Sequence, residues 1–167
     1  MDNLTGRAHD NDPVFRRRIF EEADVMIWCD GAAIIRPQWC GSGVVIHWNG
    51  EQDHESIATA AGRYGSPYRV EMIAILKALE AVSKILTNSA IAVRVHPDSR
   101  QALKQLAKGP AHQDERIACK TWEKLVAVTE RNVENVVNLI WVTGHAGAEG
   151  NEWADKMAKE GGRRSQS

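Results

Sequence analysis

No proline or glycine interrupts residues 70 to 86, and three short apolar runs precede that stretch. A chain that lays down strands before its first long helix is not a simple β-α repeat; it needs a sheet with an antiparallel part for that helix to cover. Within 70–86, Lys77, Glu80 and Lys84 fall on one side at helical spacing and leave Ile73, Leu76, Leu79 and Val82 for burial. Glu71, Ile75, Ala78 and Val82 share a second stripe, so an acid heads a face that is otherwise apolar. Of the three earlier runs, Val25 to Cys29 ends at Asp30-Gly31 and reads as a buried central strand. Gly41-Ser42-Gly43 opens a second, Val44 to Trp48, followed by the hairpin signal Asn49-Gly50. A third is expected from Glu55 to Ala61, which completes an antiparallel meander.

Beyond the helix, Ile91 to Val95 predicts a fourth strand, with Pro97 marking its end just before Asp98. Residues 99–107 predict a short helix begun by Asp98-Ser99, and residues 114–130 a longer one. A fifth strand over 136–142, a glycine-rich loop over 144–150 and a closing helix over 152–160, stopped by Gly161-Gly162, complete the pattern. The order β-β-β-α-β-α-α-β-α predicts an α/β fold: a five-stranded mixed sheet with helices on both faces. Residues 1–22, with Arg16-Arg17-Arg18, read as a flexible arm or linker, 23–161 as one domain and 162–167 as a disordered tail.

Composition narrows the function. At 167 residues and 43% hydrophobic, the chain can bury one core. A formal net charge of −1 excludes global attraction to a polyanion, so a nucleic-acid site would have to be a local basic patch. Cys29, Cys40 and Cys119 form no C-x-x-C pair, which argues against a structural zinc site or a disulfide framework. With no apolar run near the roughly 20 residues of a membrane span and no signal-like segment at the start, the expectation is a soluble intracellular protein of cytoplasm or nucleus.

The chemistry lies in the acids. Asp30 closes the first predicted strand, Asp98 the fourth, Glu71 opens the long helix and Asp155 falls in the last one. Ligands of open α/β sheets collect beyond the carboxyl ends of parallel strands, so Asp30 and Asp98 meet if strands one and four are adjacent and parallel. Carboxylates crowded together raise one another's pKa unless a cation relieves them, and hard Mg²⁺ or Mn²⁺ suits oxygen ligands. Taken singly, each acid has an ordinary explanation: a turn at Asp30-Gly31, a helix cap at Asp98-Ser99, a first-turn charge at Glu71, an i, i+4 pair of Asp155 with Lys159. Their conjunction, each at an element's end or start, favours a site.

Four blocks carry a family resemblance: Trp28-Cys29-Asp30-Gly31-Ala32; Arg69-Val70-Glu71-Met72-Ile73-Ala74-Ile75; His96-Pro97-Asp98-Ser99; and Trp141-Val142-Thr143-Gly144-His145-Ala146-Gly147 with Gly150-Asn151-Glu152-Trp153-Ala154-Asp155. They resemble the signature blocks of type I ribonuclease H, over about residues 24–161, and in wording look closest to the domains fused to retroelement reverse transcriptases. The resemblance implies a ribonuclease H-like fold and hydrolysis of the RNA strand of an RNA/DNA hybrid by two Mg²⁺ ions, Mn²⁺ able to substitute, leaving 5′-phosphate and 3′-hydroxyl ends. It implies that Asp30, Glu71, Asp98 and Asp155 are metal ligands and that His145 assists proton transfer. Gly31, Ala32, Arg69, Ser99, Arg100 and Asn151 match positions near the substrate. Two departures stand out. Many members carry a basic helical protrusion where this chain has the short, nearly neutral Gly109–Arg116 stretch, and Pro67-Tyr68 replaces a pair of asparagines before Glu71. The competing reading is a hybrid-binding or structural module with little cleavage unless joined to a reverse transcriptase.

Overall fold

The computed structural model describes residues 23–34, 38–63, 65–141 and 148–164. The arm expected over 1–22, His145 and residues 165–167 lie outside the described residues. The elements are β1 (Val25–Ile34), β2 (Trp39–Trp48), β3 (His54–Arg63), α1 (Pro67–Ile85), β4 (Ala92–Pro97), α2 (Arg100–Leu106), a 3₁₀ turn (Pro110–His112), α3 (Arg116–Arg131), β5 (Val136–Leu139) and α4 (Ala148–Arg164). This is the predicted order, in one sheet of strand order β3-β2-β1-β4-β5. β1 pairs antiparallel with β2, and β2 with β3. The β1–β4 and β4–β5 pairs are parallel.

Helices cover both faces. α1 and α3 bury one side of the sheet in a core that joins Val25, Ile27, Val44 and Ile46 to Ile75, Leu79, Leu125 and Leu139. α4 lies on the other side across β1, β2 and β3, with Ala154 packed on Trp28 and Val45. Leu76, Leu79 and Val82 are buried as expected and Ile73 is only half-buried, while Met72, Ile75 and Ala78 are also fully buried, so the apolar face of α1 is wider than the expected stripe.

Several boundaries correct the sequence reading. β1 runs past Asp30 to Ile34 because β2 continues to pair with it, as in Asp30↔Gly43 and Ala32↔Gly41. β2 begins at Trp39, so Gly41 and Gly43 lie inside a strand. Their function is close approach: a Cβ at Gly41 would meet the backbone of Ala158 and Gly162, and one at Gly43 that of Ala154. The same contact explains the far end of α4. Gly161-Gly162, read as a stop, stays helical through Arg164, because a side chain at Gly161 would strike the Thr59 carbonyl and both glycines are buried. The tail expected from residue 162 is therefore helix as far as Arg164. At its other end α4 takes in residues 148–150, assigned above to a loop, and Gly150 packs directly on the Trp28 indole. β5 is shorter than expected, ending at Leu139, although Ile140 still donates to the Val95 carbonyl (2.9 Å).

Because helix backbone meets strand backbone there, Gly43 tolerates no side chain. Gly43→Ala is expected to lower stability by about 1–3 kcal/mol, the range for overpacking a close contact. Urea unfolding checks this; a loss below about 0.5 kcal/mol, the size of an ordinary surface substitution, would contradict the packing.

Candidate active site

The fork at the end of β4 builds the site. β4 pairs with β1 only as far as Cys29↔Pro97, since proline has no N–H with which to continue a ladder. The chain then turns away through Asp98 into α2, whose cap is Ser99, its hydroxyl accepting from the Ala102 N–H at 3.1 Å. Asp98 is thus not the cap; it is exposed beside the fork. Asp30 stands one residue past the last β1–β4 pair and is only 6% exposed.

Glu71 arrives from the opposite face of the sheet. α1 begins earlier than expected, at Pro67, with Ser66 accepting from the Arg69 N–H (3.2 Å) as its cap. Its first turn is pressed against β1: a Cβ on Gly31 would lie 2.6 Å from Val70. Glycine at 31 permits this contact, and the Gly31 N–H donates to Glu71. Ile75, Ala78 and Val82 below Glu71 are all fully buried, so the acid tops an apolar stripe as expected.

Carboxylate oxygens of Asp30, Glu71 and Asp98 lie within 4.8 Å of one another. Asp155 is not in that triplet; its Oδ2 accepts from Lys159 Nζ at 2.7 Å, the i, i+4 pair foreseen as its ordinary alternative. It nevertheless lies near enough to Asp30 to raise the Asp30 carboxyl. Burial drives the Asp30 carboxyl up to about 7; a hydrogen bond from Glu71 offsets part of the rise, while the charges of Asp98 and Asp155 add to it. Glu71 is pushed up to about 9, first by burial, then by the charge of Asp30 and its hydrogen bond to it. Without a cation the pair therefore holds a proton. Cys29, fully enclosed beneath these acids, has its thiol raised by burial and then by Glu71, Asp30 and Asp98, which keeps it protonated and inert. Among the described residues the clustered donors are carboxylate oxygens, a set that fits a hard divalent cation.

The remaining sequence candidates are distributed around this centre. Arg69 and Arg100 are exposed two residues from Glu71 and Asp98, and the Arg100 guanidinium lies 5.0 Å from the Trp141 ring centroid. Ala32 is half-buried on β1. Asn151 is half-buried in the first turns of α4, and its buried Oδ1 has no hydrogen-bond partner among the described residues. Beside the acids opens a groove of about 830 Å³ lined by Tyr68, Gln101, Lys104, Lys108, Gln113 and Glu115, which the sequence reading did not identify. Its floor is preformed: Gln113 Nε2 donates to the carbonyls of Gln105 (2.8 Å) and Gly109 (2.9 Å), clamping the turn between α2 and α3.

A mixed sheet of this order, with three acids gathered at its topological switch point, defines a class of α/β protein whose site is built from carboxylate oxygens. A model of the RNase H family matches residues 22–163, and the chain belongs to this family of enzymes. Ribonuclease H of Hyphomonas neptunium is 30% identical over 139 residues, covering 82% of this chain and 91% of the relative. That of Nitrosospira multiformis is 31% identical over 147 residues, covering 82% and 88%. Among solved structures, LC11-RNase H1 in complex with RNA/DNA hybrid superposes with a TM-score of 0.58 at 23% identity over 86% of this chain and 99% of that one. The foamy viral protease-reverse transcriptase, also bound to RNA/DNA hybrid, matches with a TM-score of 0.61 at 18% identity, over 86% of this chain and 20% of its own length. At these identities the two structures share the fold.

The crowded acids make a linkage prediction. Between about pH 4 and the raised values, folded protein keeps protons that the unfolded chain has released, so metal-free stability falls as pH rises through that window. Asp30→Asn is therefore expected to melt at least ~2–4 °C above the parent at pH 8 without metal, the shift that about 1 kcal/mol produces in a domain of this size. The gain should vanish near pH 4, and Mg²⁺ should narrow it at pH 8. Scanning calorimetry at both pH values reads the difference; a gain independent of pH would mean the carboxyls do not repel one another.

Proposed function

We propose that this enzyme hydrolyses the RNA strand of RNA/DNA hybrids with two Mg²⁺ ions, leaving 5′-phosphate and 3′-hydroxyl ends, with Mn²⁺ able to replace Mg²⁺. The convergence of Asp30, Glu71 and Asp98 from three separate elements carries the reading. These three, joined by Asp155, would hold the ions. When bound, the ions supply the charge neutralisation that lets water attack a phosphodiester in line and the opposite oxygen depart. The protein's own contribution is placement. Asp30 and Glu71 are fixed by β1 and α1, whereas exposed Asp98 and half-buried Asp155 keep solvent access on the side where a substrate would arrive. His145 is assigned to proton transfer near the leaving group.

Substrate binding needs cations near these acids despite the net charge of −1. Arg63, Arg69, Arg100, Lys104 and Lys108 are exposed on the elements that surround the acids, and none is ion-paired among the described residues. Such an arc follows phosphates on both sides of a cleavage point, while the groove by Tyr68 accommodates further backbone. Discrimination of RNA from DNA would come from 2′-hydroxyl contacts by Gly31, Ala32, Ser99 and Asn151. For Ser99 the hydroxyl that accepts from the Ala102 N–H still has its own O–H to donate.

A second reading, that the domain acts joined to a reverse transcriptase, has support in the foamy viral likeness and in the short α2–α3 turn, which offers no basic protrusion. Added polymerase domains would then lower the KM for hybrid without changing which strand is cut.

Asp98→Asn, which removes an exposed ligand and leaves the core intact, is expected to reduce Mg²⁺-dependent cleavage of a labelled hybrid by more than ~100-fold, beyond the 10–100-fold typical of losing a group that merely supports a ligand. Equal rates for both proteins, or preference for duplex DNA, would overturn the reading.

A further inference from the structure

We propose that Arg63, stacked on the indole of Trp39, is a substrate-positioning residue that holds a nucleic-acid phosphate four to five base-pair steps from the bond being cut. The inference rests on the ribonuclease reading above and adds to it a contact on the far side of the sheet from α2.

Arg63 ends β3 and Trp39 begins β2; they are register partners, and the guanidinium carbon lies 4.1 Å from the ring centroid. Trp39 pairs with Ile34 and Gly43 with Asp30. Strand alternation therefore places Trp39, Gly41 and Gly43 on the sheet face that carries Asp30. Four residues of β1 separate the two pairings, roughly 13 Å, and β3 lies two strand spacings from β1, roughly 10 Å. The combined offset is roughly 16 Å, which for a duplex lying along it, at a rise of about 3.4 Å per step of the helix axis, is about four to five steps.

The chemistry also suits a phosphate. Arg63 is exposed and has no carboxylate partner among the described residues, unlike Arg163, which is paired with Glu160. Stacking uses only the flat face of the guanidinium and leaves its edge N–H groups directed outward. Trp39, half-buried, thus orders a long side chain before the substrate arrives, which removes part of the entropy lost on binding.

The test is the affinity of a labelled RNA/DNA hybrid for the full chain carrying Asp98→Asn, which keeps the hybrid intact, across a salt series. Adding Arg63→Gln is expected to weaken binding roughly five- to tenfold near 0.1 M salt and to reduce the slope of log K against log salt by about 0.9, one phosphate contact. Trp39→Leu retains the charge and should weaken binding only about two- to fivefold with the slope unchanged. Arg63→Lys should restore the slope without full affinity. In otherwise unaltered enzyme, Arg63→Gln should raise KM and change kcat less than about twofold. Unchanged affinity and slope, or weaker binding that merely follows a lower melting temperature, would assign the pair to closing the β2–β3 ladder and overturn the inference alone. If the parent chain neither binds nor cuts hybrid, the ribonuclease reading falls and this inference with it.

Discussion

β1 is gripped from both sides by strands of opposite sense, and the rest of the molecule is arranged around that constraint. Its parallel bond to β4 stops at Pro97, whereas its antiparallel bond to β2 continues to Ile34. The difference leaves a notch one residue beyond the last parallel pair, and Asp30 occupies it. Anything that moved the β1–β4 register by one residue would send Asp30 to the other face. The pair is accordingly pinned at its start: Asp24 N–H donates to the Ala92 carbonyl (2.9 Å) and Asp24 Oδ2 accepts from the Ala92 N–H (2.8 Å). Asn135 anchors the next strand, accepting from the Ile91 N–H (2.9 Å) and donating to the Val128 carbonyl (3.0 Å).

Such rigidity is needed because the site opposes its own assembly. Burial and mutual repulsion raise Asp30 and Glu71 far above ordinary carboxyl values. A looser scaffold would relax by separating them, and in this one α1 is pressed onto β1 at Gly31 while α4 is pressed onto β2 at Gly41 and Gly43. Backbone-to-backbone contact cannot yield as a flexible side chain does, so the stress is relieved by a proton or a cation instead. Outside the acids the charge reverses. Exposed arginines and lysines flank the fork, so a near-neutral chain presents an acidic centre within a basic rim. Under the proposed function, the rim would attract a polyanion, whose phosphate would meet the acidic centre in company with divalent cations.

Much of this was legible in the order of residues. The element order followed from periodicity, and Glu71 at the head of Ile75, Ala78 and Val82 was anomalous on sight. The Ser66-Pro67 cap at the start of α1 was a readable signal that the pattern beginning at Val70 obscured. Other features had no local signature. Gly161-Gly162 looks like a helix stop in any sequence, and only the arrival of Thr59 beneath it shows why those glycines continue the helix. Nothing local in the sequence links Trp39 to Arg63; only the β2–β3 register brings that guanidinium onto its ring.

The sequence by itself determined which elements form and where along them the four acids fall, because periodicity, caps and prolines act over a few residues and leave a local trace. Tertiary structure alone decided that Asp30, Glu71 and Asp98 share one small volume, that Asp155, paired with Lys159, also raises the Asp30 carboxyl, and that Cys29 beneath them stays a thiol. The physical reason is the range of the interactions. The contact that starts the β1–β4 pair joins residues 68 positions apart. Electrostatic energies between acids depend on distances and burial that no local pattern encodes.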